Sequence, residues 1–389
     1  MKIALTHIRQ AYTGGTENYL NQLAAFLAQR GHAVTIICRR HAAPPHAAVR
    51  FVVLRPATLG VGHRVWRFAR DVARHLDRHR YDLVYGLGRT WRQDVLRLGG
   101  GCHLSYLEHA RPYTASWAQR YLGSGLVKHR LYRWIERRTL TPHTRQVIVC
   151  NSTMVRDDIK ARYGVPEEQI AIIGNGVDLE RFHPTHKSTR GLQLRRSLGC
   201  DDGDTVLLFL GSGYKRKGLD LLLKAMPAVV RKYPRARLLV VGYDRRTAFF
   251  ERLARDLGVA HRIAFLGGRQ DVEACYAASD LYVLPTRYDP FAYATLEALA
   301  AGLPVITTPA NGGSEVIAPG IHGDIVTPEV APLTAALLAW MPPGRINAAA
   351  GLARRQAERH SASSKMAATL ELLEQTAASK RSHGASACR

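Results

Sequence analysis

The chain opens on an apolar run, Lys2 to Thr6, that suits a buried strand. A short glycine segment follows, Thr13-Gly14-Gly15-Thr16-Glu17, and then Leu20, Leu23, Ala24 and Leu27 recur at helical spacing. Gly31 stands where a helix C-cap belongs, and Ala33 to Cys38 (AVTIIC) reads as the next strand. Strand, loop, helix and strand in this order make a βαβ unit, which implies a parallel sheet covered on both faces. Further strands are predicted at 51–54, 82–85, 95–98, 146–150 and 169–173, the last running into an Asn175-Gly176 turn.

A polar connector, Asp178 to Arg190, interrupts the pattern, which then begins afresh. Residues 205–210 (TVLLFL) read as a strand, 211–218 as a basic glycine loop and 219–230 as a helix, with later strands predicted at 237–241, 262–266, 281–284 and 304–307. The fold class is therefore α/β: two doubly wound, Rossmann-like domains, 1–184 and 185–365, expected to face each other across a cleft. Phosphorylated ligands bind at the C-terminal edges of such sheets. A helix over 366–375 lies beyond the last strand and can pack back on the N-terminal domain, and 376–389 reads as a disordered tail.

Length agrees, since 389 residues at ~100–200 per domain suggest two or three domains. Apolar residues at 46% and charged residues at 22% exclude disordered, collagenous and coiled-coil classes. The six cysteines form no C-x-x-C pair, which argues against a zinc site and for a reducing compartment. The N-terminus does not resemble a signal peptide, and no apolar run approaches the ~20 residues of a spanning helix, so a cytoplasmic protein is expected. Charge is the unusual feature: the net value is +24, with 45 Arg against 10 Lys, and residues 1–184 carry +15 of it. A solvated basic surface explains part of this excess; an anionic partner (nucleic acid, acidic membrane face or phosphorylated glycan) explains the rest.

Neither glycine loop carries G-x-G-x-x-G, and no G-x-x-x-x-G-K-[ST] occurs, so dehydrogenase and P-loop readings fail. The second loop, Gly-Ser-Gly-Tyr-Lys-Arg-Lys-Gly at 211–218, brings Lys215, Arg216 and Lys217 to a helix N-terminus, where amides and dipole attract anions. Asp289 and Glu297 stand eight apart, one in a loop after a strand and one about a turn into the next helix. The pair can be a cap and a surface charge, or a carboxylate pair reading hydroxyls beside a phosphate-binding helix end.

The segment 285–308 resembles the donor site of the retaining glycosyltransferases of family 4, which have the GT-B fold. The likeness extends along the chain through Thr-Gly-Gly-Thr-Glu at 13–17, 171–184, 209–220, 265–272, 276–286 and Gly-Gly-Ser-Glu-Val-Ile at 312–317, in the family's order. It implies that Lys217 and Arg216 neutralise a departing nucleoside diphosphate in place of a metal, with Ser212 and Thr295 also at the donor. Glu297 would hold the ribose. Asp289 and the backbone at Ala292 and Tyr293 would hold the sugar. Gly14 and Gly15 would let backbone approach the phosphates, Arg269 would lie near the base, and His103 beside the reacting sugar. Asp289 stands where the family has glutamate, Ala292 where it often has glycine and Ser212 where many members have arginine. No cofactor or metal is expected; Asp202-Gly203-Asp204 has D-x-D spacing but reads as a solvent-facing turn.

The acceptor falls to the N-terminal half. Residues 111–138 hold Arg111, Arg120, Lys128, Arg130, Arg133, Arg137 and Arg138 against one glutamate, interleaved with Trp117, Tyr121, Tyr132 and Trp134. Such a segment suits a membrane surface or phosphorylated glycolipid, or else an amphipathic helix pair turning its aromatics inward. In outline the chain resembles bacterial lipopolysaccharide core glycosyltransferases. The expectation is a retaining, metal-independent transferase moving a sugar from a nucleotide-sugar, UDP by default, to a surface glycan or lipid-linked acceptor, at the inner face of the cytoplasmic membrane. The alternative is an inactive transferase-like scaffold binding polyanions or acidic membranes; nucleic-acid binding lacks any supporting motif.

Overall fold

This computed structural model describes residues 1–12, 14–55, 57–110, 124–141 and 146–386. The chain divides into two units, one of residues 1–108, 115–174 and 363–389, the other of 109–114 and 175–362. The division falls at 174/175 rather than at the expected 184/185. The reason is local: Val177 bridges Ser361 and Phe182 joins the second core, so the connector is already part of the second unit.

The first unit is built on a parallel sheet of seven strands: β1 (Lys2–Thr6), β2 (Ala33–Cys38), β3 (Arg50–Val53), β4 (Leu83–Gly86), β5 (Val95–Leu98), β6 (Val147–Cys150) and β7 (Ile170–Ile172). They lie in the order β3-β2-β1-β4-β5-β6-β7. Alternate residues face opposite sides, and both sides are covered. Ile3 and Leu5 of β1, with Val34 and Ile36 of β2, pack against Leu20, Leu23 and Leu27 of the helix Gly15–Gln29. Ala4 and Ile37 turn the other way, onto Phe68, Val72 and Leu76 of the helix Gly60–Arg78.

The C-terminal helix is longer than expected. It runs Ala362–Ser386, so residues 376–386 continue the helix where a disordered tail was expected, and 387–389 lie outside the described residues. Met366, Leu370, Leu373 and Ala377, spaced at three and four, seal it onto the first unit's core. Lys380 pairs with Asp94 at 2.9 Å beyond them.

The second unit holds a six-stranded parallel sheet: β8 (Thr205–Leu210), β9 (Ala236–Val241), β10 (Ile263–Gly267), β11 (Leu281–Leu284), β12 (Val305–Thr307) and β13 (Gly323–Ile325). The order is β10-β9-β8-β11-β12-β13. Chain direction across the sheet therefore reverses between β8 and β11 here, and between β1 and β4 in the first unit. At such a reversal the loops leaving two adjacent strands diverge to opposite faces and leave a crevice at their C-terminal ends.

Candidate active site

In the second unit the loops leaving β8 and β11 are 211–218 and 285–292, and they touch. Gly218 adopts φ +81, and a Cβ there would stand 1.9 Å from the Pro285 carbonyl oxygen. Only glycine permits both the left-handed turn and the close approach. The Arg287 amide donates to the Arg216 carbonyl at 2.9 Å and the Thr286 hydroxyl to the same carbonyl at 3.2 Å.

This contact carries Lys217 to Asp289. The ammonium pairs with Oδ2 of Asp289, and Arg216 Nη1 reaches the same oxygen at 3.2 Å while donating to the Tyr288 carbonyl at 2.8 Å. Asp289 Oδ1 accepts the Phe291 amide at 3.2 Å. Lys217 and Asp289 are both buried. Burial pulls the Lys217 ammonium below its ordinary value, against the pull of Asp289. Burial opposes ionisation of Asp289, but the adjacent Lys217 and Arg216 outweigh it and hold the carboxyl below its usual range. Two cations meet one carboxylate, and the surplus positive charge sits in a desolvated crevice where an anion is strongly attracted.

The helix Tyr293–Ala300 begins beside this group with Ala292 as N-cap, a residue without a capping oxygen. Four residues in, Glu297 accepts the Tyr276 hydroxyl at 2.7 Å, and burial raises its carboxyl above the usual range. Arg269, in the loop after β10, forms a two-pronged pair with Asp271 at 2.5 and 3.0 Å.

In the first unit Gly14 has φ +107, a backbone conformation that favours glycine, and caps the helix Gly15–Gln29. Gly15 opens that helix. His103, just beyond β5, is buried. Its Nε2 meets His129 Nδ1 at 2.9 Å, its Nδ1 lies 3.4 Å from Arg89, and its amide donates to Glu136 Oε2 at 2.7 Å. Burial, then the positive charge of Arg89, lowers its pKa to about 3, so the ring is neutral at physiological pH. A cavity of about 210 Å3 opens alongside, with His7, Thr16, Arg89, Arg97 and Glu136 on its walls.

Two family models match, and between them they take in most of the chain: Glycosyltransferase Family 4 over residues 13–181 and Glycosyl transferases group 1 over residues 192–342. The chain belongs to the family 4 glycosyltransferases of GT-B fold. Among similar proteins is lipopolysaccharide glucosyltransferase WaaG of Escherichia coli K12, 26% identical over 80% of this chain and 82% of WaaG. A crystal structure of WaaG superposes with a TM-score of 0.80, at 24% identity, over 95% of this chain and 99% of that one. The uncharacterised glycosyltransferase MJ1607 of Methanocaldococcus jannaschii is 29% identical over 47% of each chain, so the match spans about half of that relative. Anabaena Alr3699/HepE, solved with UDP, shares the fold at a TM-score of 0.72 and 20% identity, over 96% of this chain and all of that one.

Within this glycosyltransferase several expected roles change. Lys215 is turned away from Lys217 and pairs with Asp220 at 2.7 Å, and Asp220 also takes both Arg287 amines, at 2.8 and 2.9 Å. The loop 211–218 thus brings two cations to Asp289, not three. The Ala292 amide is taken by Asn311 Oδ1 at 3.1 Å and is not left for a sugar. Thr295 is wholly buried and accepts Asn311 Nδ2 at 2.9 Å, so it supports the loop rather than meeting the donor. Ser212 accepts the Tyr243 amide at 3.1 Å. Asp204 is not solvent-facing: it is buried and pairs with Arg237 at 2.5 Å, while Asp202 is exposed. Among the described residues no group of three His, Cys, Asp or Glu is placed to hold a metal.

Asn311, Asp220 and Arg287 carry the site's architecture without having been singled out in the sequence. The only signal for Asn311 was its place before Gly312-Gly313. In the basic segment, Arg111, Arg120, Trp117 and Tyr121 lie outside the described residues. Arg130, Arg133, Arg137 and Arg138 are exposed along the helix Ser124–Thr139, and Lys128 is half-buried. Tyr132 turns inward against His103, whereas Trp134 is 45% exposed. No described helix is long and apolar enough to cross a membrane.

Proposed function

We propose that this glycosyltransferase moves a sugar, with retention of anomeric configuration, from a nucleoside-diphosphate sugar to a glycan or lipid-linked acceptor of the bacterial surface. The single observation that carries the reading is the buried Lys217–Asp289–Arg216 group, with its surplus positive charge at the reversal point of the second sheet. Preorganised cations there stabilise the charge that develops as a diphosphate departs, and no metal is required for that role. Glu297, one turn into the following helix, is offered as acceptor for the ribose hydroxyls. Asp289 Oδ1 and Tyr293 are offered to the sugar, and Arg269 to the base. His103, neutral and buried, can hydrogen-bond a sugar hydroxyl without adding charge.

In the step itself the bond from the anomeric carbon to the diphosphate oxygen breaks. The acceptor oxygen forms its bond on the same face, and its proton passes to the departing diphosphate. UDP is the default donor nucleotide, a choice supported by the likeness to a fold solved with UDP. A lipopolysaccharide-type acceptor is supported by the likeness to WaaG. Arg130, Arg133, Arg137 and Trp134 would hold the enzyme peripherally at an anionic inner membrane face. The test is transfer from UDP-, GDP- and ADP-sugars to delipidated and intact core glycolipid in EDTA, with the anomeric configuration of the product read by NMR. An α-linked product from an α-linked donor is expected; inversion, or transfer only after metal addition, overturns the mechanism.

A further inference from the structure

One face of a single helix closes over the ring of His103. On the helix Ser124–Thr139, His129, Tyr132 and Glu136 are spaced by three and four residues and share a face. All three meet His103. Glu136 accepts its backbone amide at 2.7 Å and the Tyr163 hydroxyl at 2.5 Å. Tyr132 stands edge-on to the ring, with centroids 5.2 Å apart, and His129 Nδ1 lies 2.9 Å from His103 Nε2.

These contacts fix where His103 carries its proton. On the other side of the ring Arg89 Nη2 reaches Nδ1 at 3.4 Å. A guanidinium has hydrogens to give and no acceptor, so Nδ1 must accept. A neutral imidazole has one N–H, which is then on Nε2 and donates to His129 Nδ1. The reverse tautomer would set an N–H of His103 against the N–H of Arg89, two donors facing each other at a buried ring. Of the two bonds the one to His129 is the shorter, and the 3.4 Å contact with Arg89 is the weaker. The Nδ1 side therefore yields first to an incoming hydroxyl, and Arg89 lines the cavity of about 210 Å3.

We propose that His129 is a positioning residue: by accepting the Nε2 proton it holds the His103 ring in one tautomer and one orientation, with the Nδ1 lone pair left for a sugar hydroxyl. That the ring meets a sugar rests on the transferase reading above; the pairing of the two histidines does not. Once protonated, His129 carries a hydrogen on Nδ1 and can no longer accept, so the pairing is lost on acidification. The other charged or titratable groups around His103 are the cationic Arg89, Lys128 and Arg133, together with Glu136, Tyr106 and Tyr132. Asparagine at 129 separates the histidine from all of these. Its Oδ1, like Nδ1, is bonded to the carbon next to Cβ, accepts a hydrogen bond and does not take up a proton in this range.

The experiment uses the full chain with isotope-labelled histidine and compares wild type, His129→Asn and His129→Leu. NMR locates the His103 ring proton and reads the scalar coupling across the N–H···N bond. The pH profile of kcat/KM is recorded with the donor and acceptor that give transfer. Wild type is expected to carry the proton on Nε2, coupled to His129 Nδ1, and to lose coupling and kcat/KM together on acidification. His129→Asn is expected to keep the Nε2 proton, to stay within about threefold of the wild-type rate and to lose that acid limb. His129→Leu, similar in size but without an acceptor, is expected to fall at least ~10-fold in kcat/KM while still unfolding cooperatively. A wild-type proton on Nδ1, or an unchanged kcat/KM in His129→Leu, overturns the proposal. So does a His129→Asn variant as impaired as His129→Leu, which would make His129 a packing residue alone. If wild type transfers no sugar, the transferase reading fails, and the proton's place and its coupling then confirm or refute the histidine pairing by themselves.

Discussion

Replacing Gly218 by alanine asks whether the Lys217–Asp289 pairing depends on how closely two loops approach. At φ +81 an L-residue costs about 1–2 kcal/mol. The new Cβ would also stand 1.9 Å from the Pro285 oxygen and 2.7 Å from its carbon, all backbone. Ordinary contact demands that this gap open by roughly 1.5 Å, and overpacking of this kind costs about 1–3 kcal/mol more. The two loops are also tied through the Arg216 carbonyl, so the displacement moves Lys217 relative to Asp289. A shift of about 1 Å in a catalytic group can lower turnover ~100-fold. Gly258 provides the control: its φ is +71, but a Cβ there meets nothing within 4 Å. Denaturant midpoints and initial rates of the two variants separate dihedral strain from collision. Gly218→Ala is expected to lose about 2–5 kcal/mol and most of its activity, and Gly258→Ala only about 1–2 kcal/mol. Equal stability losses with unchanged turnover in both would refute the reasoning.

Lys217→Met keeps the fold, because Asp289 retains Arg216 and the Phe291 amide, yet turnover should fall about 100- to 1000-fold; near-normal rates with an intact melting curve would sink the role. Asn311→Ala strips partners from the Ala292 and Gly313 amides and the Thr295 hydroxyl, for an expected loss of about 2–4 kcal/mol in a urea titration; no measurable change would contradict that bracing. His103 has a folded pKa of about 3 against 6.5 when unfolded, so below pH 6.5 the unfolded chain gains a proton that the folded one refuses. Stability should fall by about 2 kcal/mol from this group between pH 6.5 and 5, a slope that His103→Gln removes; an unchanged slope argues against the buried neutral ring. Binding to anionic vesicles should weaken with salt and with Arg130→Gln/Arg133→Gln, as followed by cosedimentation; equal binding to neutral vesicles would end the electrostatic account.

Most strands were legible because parallel strands covered on both faces are nearly continuous apolar runs, as in 33–38 and 205–210. β13 escaped notice because it is three residues long with Asp324 at its centre. The helix Gly60–Arg78 is hard to read in the sequence because its buried Phe68, Val72 and Leu76 are interleaved with arginine and histidine. Lys217 and Asp289 stood out through their glycine loop and helix start. Their neighbours did not, since partner choice is decided across the sheet. Lys215 and Lys217 lie two residues apart on a single helical turn, about 200° around its axis, so one meets Asp220 and the other Asp289. The tail expected at 376–389 is rich in alanine and serine, and in it only Ala377 continues the apolar stripe that Leu370 and Leu373 carry through the expected helix 366–375.

The central claim is that the Lys217–Asp289–Arg216 group binds the diphosphate of a sugar donor without a metal. Calorimetric titration of the full chain with UDP, GDP and ADP in EDTA tests it directly. The account predicts one-to-one binding of at least one of these nucleotides, with affinity lost in Lys217→Met. Absence of binding by all three, or affinity undiminished in that variant, would contradict it.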